Sequence, residues 1–263
     1  MKTLVLANQK GGVGKSAVAC QFAYYLSDVL GLRVLVMDFD HQGNTSKAIK
    51  ASKLAAVSSV SASRILGERT GAIEAAPFVL VASDDQLIKM EKQPDKHNSY
   101  ATNLQAFLKA VGDQFDVCII DTNPNPDIRM TAALVVGDFV LSPIQLNQEA
   151  LDGIGALNGD VKKIKAALNP KLHLIGILPN LVEATPFQKA NFAQLVEHFS
   201  KLLIPLPNGQ YGFIKTRTAI AEAQAAGLPV WKLGKTSAAD CWRELRPVFT
   251  KITDVMGVAN NGA

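Results

Sequence analysis

The stretch Asn8-Gln-Lys-Gly-Gly-Val-Gly-Lys-Ser16 decides the fold. It follows a short apolar run of strand type, residues 3–7, and precedes a segment, residues 17–30, in which apolar residues recur at helical spacing. A strand, a glycine-rich turn and a helix N-terminus together form an anion site, because free backbone N–H groups and the helix dipole point at the bound group. The stretch therefore predicts a phosphate-binding loop at the start of an α/β fold.

This loop departs from the usual pattern in two ways. In G-x-x-x-x-G-K-[ST], the lysine reaches the β and γ phosphates and the hydroxyl binds Mg²⁺. Gly14, Lys15 and Ser16 match that pattern, whereas Gln9 takes the place of the first glycine, and a second lysine, Lys10, lies five positions before Lys15. A glycine-rich turn that contains two lysines by chance is the alternative, and the strand and helix on either side argue against it.

The rest of the chain predicts a doubly wound α/β fold of the P-loop NTPase type, with a mostly parallel sheet. The chain has 263 residues and is 48% hydrophobic, enough for one full core, and we expect one domain over residues 1–263. Strands that alternate with helices and read as continuous apolar runs are typical of a parallel sheet covered on both faces. The six predicted strands are residues 3–7, 33–37, 78–82, 117–120, 139–141 and 172–178.

Acidic residues follow two of these strands. Asp38 and Asp40, at i and i+2, point to the same face of an extended chain and could hold metal-bound waters or orient an attacking water. Asp121 ends another apolar run, which is the usual form of a Walker B strand whose carboxylate helps to hold Mg²⁺ beside Ser16. Paired aspartates that cap a turn are the alternative for the first pair, and the preceding phosphate loop favours the catalytic interpretation.

Other side chains point away from disulfide or zinc chemistry. The three cysteines, Cys20, Cys118 and Cys241, are far apart and suit buried thiols, and the four histidines are scattered. Met1 leads almost directly into the first strand, and no apolar stretch approaches the ~18 residues of a membrane span. We therefore expect a cytoplasmic protein without a signal peptide.

Two further segments are informative. Residues 44–64 are rich in Ser, Ala and Lys, so we expect them on the surface, either as a switch segment after the second strand or as a weakly packed helix pair. Residues 201–251 hold eight Lys and Arg against three acids, a local net charge of +5 in a chain of net charge +4. That asymmetry suits a polyanionic partner, and a solvated helical face is the alternative.

Together these motifs resemble those of ParA-type partition ATPases. Lys10 to Ser16 is similar to their deviant Walker A loop, Asp38-Phe-Asp40 with Gln42-Gly-Asn44 to their switch motif, and Ile119-Ile-Asp121 with Pro124 to their Walker B motif. The resemblance continues to Gly227-Leu-Pro-Val-Trp231 and covers essentially the whole chain, which is most like the short IncC-like plasmid type. Departures are Ser16-Ala17 for the commoner Thr-Thr, and Asn123 and Asn125 around Pro124.

The resemblance implies a role for each residue of the site. Lys10 would cross a dimer interface to touch the ATP of the other subunit, Lys15 would hold the β and γ phosphates of its own ATP, and Asp40 would position the hydrolytic water. Ser16 would bind Mg²⁺, supported through waters by Asp38 and Asp121, and Asn180 would read the adenine. The residues implied to contact ATP or ADP are Lys10, Gly11, Gly12, Val13, Gly14, Lys15, Ser16, Ala17 and Asn180.

The resemblance also implies partners. ParA-type proteins form ATP-dependent homodimers, bind DNA without sequence preference and respond to a ParB-type centromere-binding protein, so we expect a nucleoid-associated protein without a membrane partner. Non-specific DNA binding needs only cations that neutralise phosphates. The candidate DNA-binding residues are Lys215, Arg217, Lys235, Arg243 and Arg246. No helix-turn-helix segment precedes the ATPase motifs, so we do not expect operator binding.

Three other functions share the same loop. A MinD-like regulator would need a basic amphipathic C-terminal helix, whereas residues 250–263 are nearly uncharged. An iron–sulfur carrier or nitrogenase-reductase-like ATPase would need cysteines at a dimer axis, and Cys118 is predicted inside a strand. A ParA relative that positions a protein cargo cannot be distinguished by sequence from one that moves DNA.

Overall fold

The computed structural model describes residues 1–90 and 92–258, and its centre is a sheet of seven parallel strands. The strands lie in the order β3-β4-β2-β5-β1-β6-β7. Their bounds are β1 Lys2–Leu6, β2 Val34–Asp38, β3 Ala56–Val57, β4 Phe78–Val81, β5 Val117–Asp121, β6 Phe139–Ile144 and β7 His173–Pro179. The helices are α1 Lys15–Tyr24, α2 Asn44–Ser52, α3 Ala62–Gly67, α4 Gln86–Met90, α5 His97–Val111, α6 Ile128–Val136, α7 Gln148–Ala167, α8 Pro186–Phe199, α9 Thr218–Ala226 and α10 Thr236–Met256. This confirms the expected α/β class and doubly wound sheet.

Helices cover both faces of the sheet, which explains why the strands read as continuous apolar runs. Alternate residues of one strand enter different cores: Leu4 and Leu6 pack on one face with α1, α9 and α10, whereas Val5 packs on the other with α3, α5 and α6. Every residue of β2, β4 and β5 is buried. The central strands are therefore fixed on both sides, and their carboxyl ends are held in place.

Six of the seven strands were expected, and two details differ. The two-residue strand β3 was missed because Ala56 and Val57 are too short a run to give a pattern, and both are exposed at the sheet edge. Strand β6 continues past the predicted end at Leu141 to Ile144 and includes Pro143. Proline fits there because β1 pairs with β6 only as far as Leu141, so the missing N–H of Pro143 breaks no ladder with that strand.

The first helix also differs from its predicted bounds of residues 17–30. It begins at Lys15, directly after Gly14, and from Tyr25 to Val29 it widens into a π-helical turn. There the N–H of Leu30 donates to the carbonyl of Tyr25, five residues back, at 3.1 Å. The wider turn ends the helix before Gly31.

The expectation that residues 44–64 lie on the surface is wrong for one face of each helix. In α2, Thr45 and Ile49 have no exposed surface, and in α3 neither does Ala62. Helix α2 packs against α1 and α9. The small residues that lower the apolar content of this segment are the ones that allow close packing.

The turn after α9 approaches the backbone of α2 unusually closely. Gly227 has a φ of +64°, and a Cβ at that position would lie 2.5 Å from the amide nitrogen of Ser52 and 2.7 Å from the carbonyl oxygen of Ala48. Only glycine satisfies both the conformation and the space. Backbone therefore meets backbone where α2 and the end of α9 touch.

The last described helix, α10, is strongly one-sided. Leu245, Phe249 and Ile252 on its inner face are buried in the core, and its outer face carries charged residues. Within residues 1–90 and 92–258, no helix is both long and apolar enough to cross a bilayer.

Candidate functional site

The carboxyl ends of β1, β2 and β5 bring the sequence motifs to one edge of the sheet. Asp121, at the end of β5, is paired in register with Leu6 at the end of β1 and with Asp38 at the end of β2. The loop of residues 8–16 begins directly after β1. Parallel strands thus place the loop and the two carboxylates together, as expected for a ligand site in this kind of fold.

The loop wraps around a cavity of about 330 Å³ at the N-terminus of α1. Gly12 and Gly14 have φ values of +74° and +80°, which turn the loop back toward the helix axis. Gly14 is also required sterically, because a Cβ there would lie 2.3 Å from the Nδ2 atom of Asn180. The residues that line the phosphate cavity are Gly11, Gly12, Val13, Gly14, Lys15, Ser16, Ala17, Asp40, Gln42, Asn44 and Pro124.

Lys15 is held inside the loop. It is only 6% exposed, and its Nζ atom donates to the carbonyl oxygens of Lys10, at 3.3 Å, and Asn8, at 3.4 Å. Burial lowers the pKa of Lys15, and the nearby carboxylates of Asp121 and Asp40 oppose that shift. These carboxylates favour a charged ammonium group here, which is suited to meet an anion.

Lys10 lines a different cavity from Lys15. This cavity, of about 360 Å³, adjoins the phosphate cavity at Gly11 and Val13, and the Cε atom of Lys10 lies 4.0 Å from where a Cβ of Gly153 would be. The described residues that line the phosphate cavity include residues 11–17 of the loop but not Lys10. The two lysines of one loop therefore face different spaces.

Asp121 and Ser16 form the part of the site that would hold a cation. Ser16 hydrogen-bonds to Asp121, and the hydroxyl of Thr45 donates to the Oδ2 atom of Asp121 at 2.7 Å. The Oδ1 atom of Asp121 is buried and has no hydrogen-bond partner. A buried carboxylate oxygen without a donor, next to a hydroxyl and a phosphate cavity, fits Mg²⁺, which is commonly bound by one or two protein oxygens plus phosphates and water.

Ser16 and Asp121 are a small set of metal-binding groups. The described part of the chain holds no group of three or more His, Cys, Asp or Glu side chains that could bind a metal. Burial raises the pKa of Asp121, and hydrogen bonds from Thr45 and Ser16 partly offset that rise. A bound cation would favour the ionised form.

Asp38 is already satisfied by protein groups. Its Oδ2 atom accepts from the backbone N–H of Ser46, at 2.8 Å, and from the Ser46 hydroxyl, at 2.7 Å, while its Oδ1 atom accepts from the N–H of Asp40. Burial, followed by the neighbouring Asp121 carboxylate, raises the pKa of Asp38 to about 7. In this state Asp38 anchors the first turn of α2 to the strand ends, and any contact with a cation would run through water.

Asp40 lies at the border of the phosphate cavity and is 7% exposed. Its Oδ1 atom accepts from the N–H of Gln42 at 3.0 Å, and its backbone carbonyl accepts from the hydroxyl of Ser83 at 2.5 Å. The main chain of Asp40 is thereby held by the segment that follows β4, and its carboxylate borders the cavity. A carboxylate in that position can orient or deprotonate a water molecule.

A third cavity, of about 320 Å³, adjoins the phosphate cavity at Gly14 and Ala17. It is mostly apolar, as a nucleoside site would be. Asn180 lines it and is 3% exposed, and its Nδ2 atom donates to the carbonyl of Val13 at 2.8 Å. The other residues that line this nucleoside cavity are Val18, Gln21, Leu181, Ile214, Thr216, Arg217, Thr218, Ile220, Ala221, Gln224, Leu245 and Phe249.

Comparison with known proteins decides the family. A family model described as an AAA domain matches residues 1–174. The IncC protein of Escherichia coli is 36% identical over 264 residues, which cover 96% of this chain and 70% of IncC. The chain belongs to the ParA-type family of partition ATPases.

Further comparisons agree with that assignment. The chromosome-partitioning ATPase Soj of Thermus thermophilus is 28% identical over 248 residues, 93% of this chain and 94% of Soj. The structure of a McdA variant from Cyanothece in complex with ATP has a TM-score of 0.79 at 21% identity and covers 98% of this chain and 97% of that one. The latter similarity supports the fold.

The expected DNA-binding residues of this ParA-type chain lie on its C-terminal elements, and four of the five are in ion pairs. Lys215 and Arg217 both contact Glu244, Lys235 contacts Glu222 at 2.6 Å, and Arg243 contacts Asp240 at 3.2 Å. Arg246 is exposed on α10. The structure thus brings Lys215 and Arg217 together on Glu244, places Arg243 beside Lys215 along one cleft, and holds Lys235 in a separate pair.

Sequence reasoning missed the residues that support the carboxylates. Thr45 and Ser46 bind Asp121 and Asp38, yet they lie in the segment that was expected to be exposed. A signal was available, because the run Asn44-Thr45-Ser46 follows Gly43 directly, and short polar residues of this kind are typical of a helix N-terminus. The three cysteines are buried and free, as expected, with Cys118 inside β5.

Proposed function

We propose that this ParA-type chain is a DNA-partitioning ATPase that dimerises on ATP, binds non-specific DNA in that state and is released when a ParB-type partner stimulates hydrolysis. The single observation that carries this proposal is the position of the two loop lysines. Lys15 lines the phosphate cavity, whereas Lys10 lines an adjoining cavity.

The phosphate site supports ATP as the nucleotide. The triphosphate would occupy the cavity of residues 11–17, with Lys15 leaving its two carbonyl partners for the β and γ phosphates, and the base would enter the nucleoside cavity beside Asn180. Ser16 and Asp121 would hold Mg²⁺, with Asp38 supporting it through water. When bound, Mg²⁺ neutralises charge on the phosphate oxygens.

Hydrolysis would depend on Asp40. Its carboxylate borders the phosphate cavity, and its main chain is fixed by Ser83, so it can orient the attacking water. Asp40 borders the phosphate cavity but is not one of the residues, Ser16 and Asp121, that would hold Mg²⁺. Binding and turnover are therefore assigned to different carboxylates.

Dimerisation would give Lys10 its role. Two ATP molecules that face each other across an interface carry about eight negative charges, and burying unpaired anions together is costly. A lysine that lines a different cavity from the one for its own phosphates can be supplied to the nucleotide of the other subunit. Lys10 meets that requirement.

The DNA step would use the basic residues of the C-terminal elements. Lys215 and Arg217 contact Glu244, Arg243 lines the same cleft as Lys215, and Arg246 lies on the same helix as Arg243. Cations on an exposed surface bind phosphates without reading bases, and the resulting affinity falls steeply with salt.

The experiment is retention of random-sequence DNA by the purified chain, with no nucleotide, ADP, ATP, or ATP plus the Lys15→Ala variant as a matched control. We expect ATP alone to give strong retention that weakens from 50 to 200 mM salt, and the variant to give none. Absence of ATP-dependent, salt-sensitive retention would refute the DNA step. If ATP instead drives sedimentation with anionic liposomes, the MinD-like alternative is favoured.

A further inference from the structure

Glu244 holds two cations that come from a separate part of the chain. Its Oε1 atom lies 2.7 Å from Nζ of Lys215 and 2.6 Å from Nη2 of Arg217, and its Oε2 atom accepts from Nε of Arg217 at 3.3 Å. Arg217 therefore grips the carboxylate with two nitrogens, the geometry that guanidinium groups also adopt on phosphate. We call this group the Glu244 clamp: Lys215, Arg217 and Glu244.

Arg217, one of the three residues of the Glu244 clamp, lines the nucleoside cavity. The N–H of Ile214 donates to the carbonyl of Pro179, the N–H of Val182 to the carbonyl of Ile214, and the N–H of Thr216 to the carbonyl of Val182. These bonds fix residues 214–216 alongside the end of β7. Arg217 follows directly and lines the cavity together with Thr216.

The acidic residue of the clamp, Glu244, is also connected to that cavity. Glu244 lies on α10 next to Leu245, which lines the nucleoside cavity together with Phe249. On the outer side, Glu244, Lys215 and Arg243 line a cleft of about 420 Å³. The clamp therefore separates the space for a nucleoside from an outer basic cleft.

We propose that Glu244 is an internal competitor of DNA phosphate: it occupies Lys215 and Arg217 in the nucleotide-free protein, and a nucleoside bound against Thr216 and Arg217 releases both cations to DNA. This inference rests on the proposed function and adds the control of its DNA-binding surface. A carboxylate and a phosphate compete for the same fork of donors, so one excludes the other.

The cost of opening the clamp is small enough for a ligand to supply. The side chains of Lys215, Arg217 and Glu244 are 44%, 36% and 32% exposed. Ion pairs in such positions are weak, and together the two pairs hold back DNA binding by roughly three- to thirty-fold. A nucleotide that contacts the cavity wall has more than enough binding free energy to offset that factor.

The pair of Lys235 with Glu222 provides a matched control. It joins α9 to the start of α10 at 2.6 Å, its side chains are 56% and 45% exposed, and neither residue is among the described residues that line the nucleoside cavity. Glu222→Gln and Glu244→Gln each remove one negative charge from the same basic surface. They differ in whether the released cation borders the nucleoside cavity.

The experiment measures the affinity of the full chain for a random-sequence DNA duplex, without nucleotide and with ATP and Mg²⁺, over a series of salt concentrations. For Glu244→Gln we expect nucleotide-free affinity to rise roughly three- to thirty-fold, with little change in the ATP state, so that the ATP dependence shrinks. The salt slope of the nucleotide-free state should steepen by up to about 1.8, the value for two additional phosphate contacts. For Glu222→Gln we expect a smaller rise that is equal in both states.

The clamp is refuted if Glu244→Gln changes both states equally, as Glu222→Gln does, or changes neither. Glu244→Ala, which cannot replace the carboxylate with an amide acceptor, must give the same result as Glu244→Gln. Wild-type protein without ATP-dependent DNA retention contradicts the proposed function. In that case a gain of DNA binding in Glu244→Gln that is larger without nucleotide than with ATP still supports competition by Glu244, and an equal gain or no gain refutes the clamp as well. Unchanged thermal midpoints and retained ATP binding establish that each variant is folded; because ATP no longer has to open the clamp, Glu244→Gln should bind ATP no more weakly than the wild type.

Discussion

The charged groups at the carboxyl ends of β1, β2 and β5 are enclosed, whereas those of the Glu244 clamp are open to solvent. Asp38 and Asp121 have no exposed surface and Lys15 is 6% exposed, while the side chains of the clamp are 32–44% exposed. Burial shifts the pKa values of the enclosed groups away from their ordinary range. For Glu244, partial burial alone would raise the pKa, but hydrogen bonds from Arg217 and Lys215 bring it below its ordinary value.

The difference shows how one chain can use charge for two purposes. Enclosed charges are expensive to leave unpaired, so they hold one geometry and respond strongly to a ligand. Solvent-exposed charges exchange partners at low cost, so they suit a surface whose occupancy must change. Variants in the two regions should therefore have effects of very different size.

The largest effect is expected for Lys15→Ala. Truncating a buried, hydrogen-bonded cation costs about 2–5 kcal/mol of binding free energy, so ATP affinity should fall by about 30-fold or more. The measurement is titration with a fluorescent ATP analogue. Lys10→Ala is the control and should keep ATP affinity within about threefold while ATP-induced dimers are lost; equal losses in both variants would place both lysines in one phosphate site.

Asp40→Ala should separate binding from turnover. Because Asp40 is assigned to the attacking water, the rate of phosphate release should fall by about 100-fold or more, with ATP affinity nearly unchanged. Light scattering after gel filtration should then detect an ATP dimer that persists. Wild-type turnover in this variant would assign the water to a different residue.

The stability of the nucleotide-free protein should fall as pH rises from about 5 to 7.5. In the unfolded chain Asp38 and Asp121 lose their protons near pH 4, but in the folded protein their raised pKa values keep protons bound to higher pH. The folded state thus binds more protons in this interval, and the free energy of unfolding decreases with pH. Thermal unfolding without Mg²⁺ should show a decline of roughly 3–6 °C.

Two variants isolate the cause of that decline. Asp121→Asn removes one titrating carboxylate from the enclosed site and should flatten the pH profile while raising the midpoint near neutral pH. Asp116→Asn is the control, because hydrogen bonds from Arg33 lower the pKa of the Asp116 carboxyl and its contribution is lost only below about pH 4. A profile that Asp121→Asn leaves unchanged would contradict the assignment.

The smallest effect is expected for Arg246→Ala, on the exposed surface. Loss of one phosphate contact should weaken DNA binding by about two- to fivefold and reduce the salt slope by about 0.9. The measurement is fluorescence anisotropy with labelled DNA in the ATP state. Lys163→Ala, on the exposed face of α7, should change neither quantity.

Local features of the sequence predicted the enclosed site well. The loop of residues 8–16 and the acid at the end of β5 are each contained in a few consecutive residues, and the parallel sheet brings them together. The residues around them were harder to predict. Thr45 and Ser46 reach Asp121 and Asp38 only because α2 folds back over the strand ends, which depends on tertiary packing rather than on a motif.

The nucleoside cavity and the Glu244 clamp could not be predicted from short sequence motifs, because each is formed by residues that are distant in the chain. Gln21 and Leu245 line one cavity although they are far apart in the chain, and Arg217 meets Glu244 across 27 positions. The excess of basic residues in this region was visible in the sequence, but the pairing of four of the five candidates with acids was not. Charge counts predicted that a polyanion would suit the surface and could not show that the surface is partly neutralised by the protein itself.

Gly227 has a mechanical consequence for these two regions. Since its backbone lies directly on that of α2 at Ala48 and Ser52, no compressible layer of side chains separates the two segments. The first turn of α2 is hydrogen-bonded to Asp38. A displacement of α2 therefore shifts the end of α9 directly. Helix α2, which is hydrogen-bonded to the enclosed carboxylates, and helix α9, which follows Arg217 of the basic surface, therefore move together.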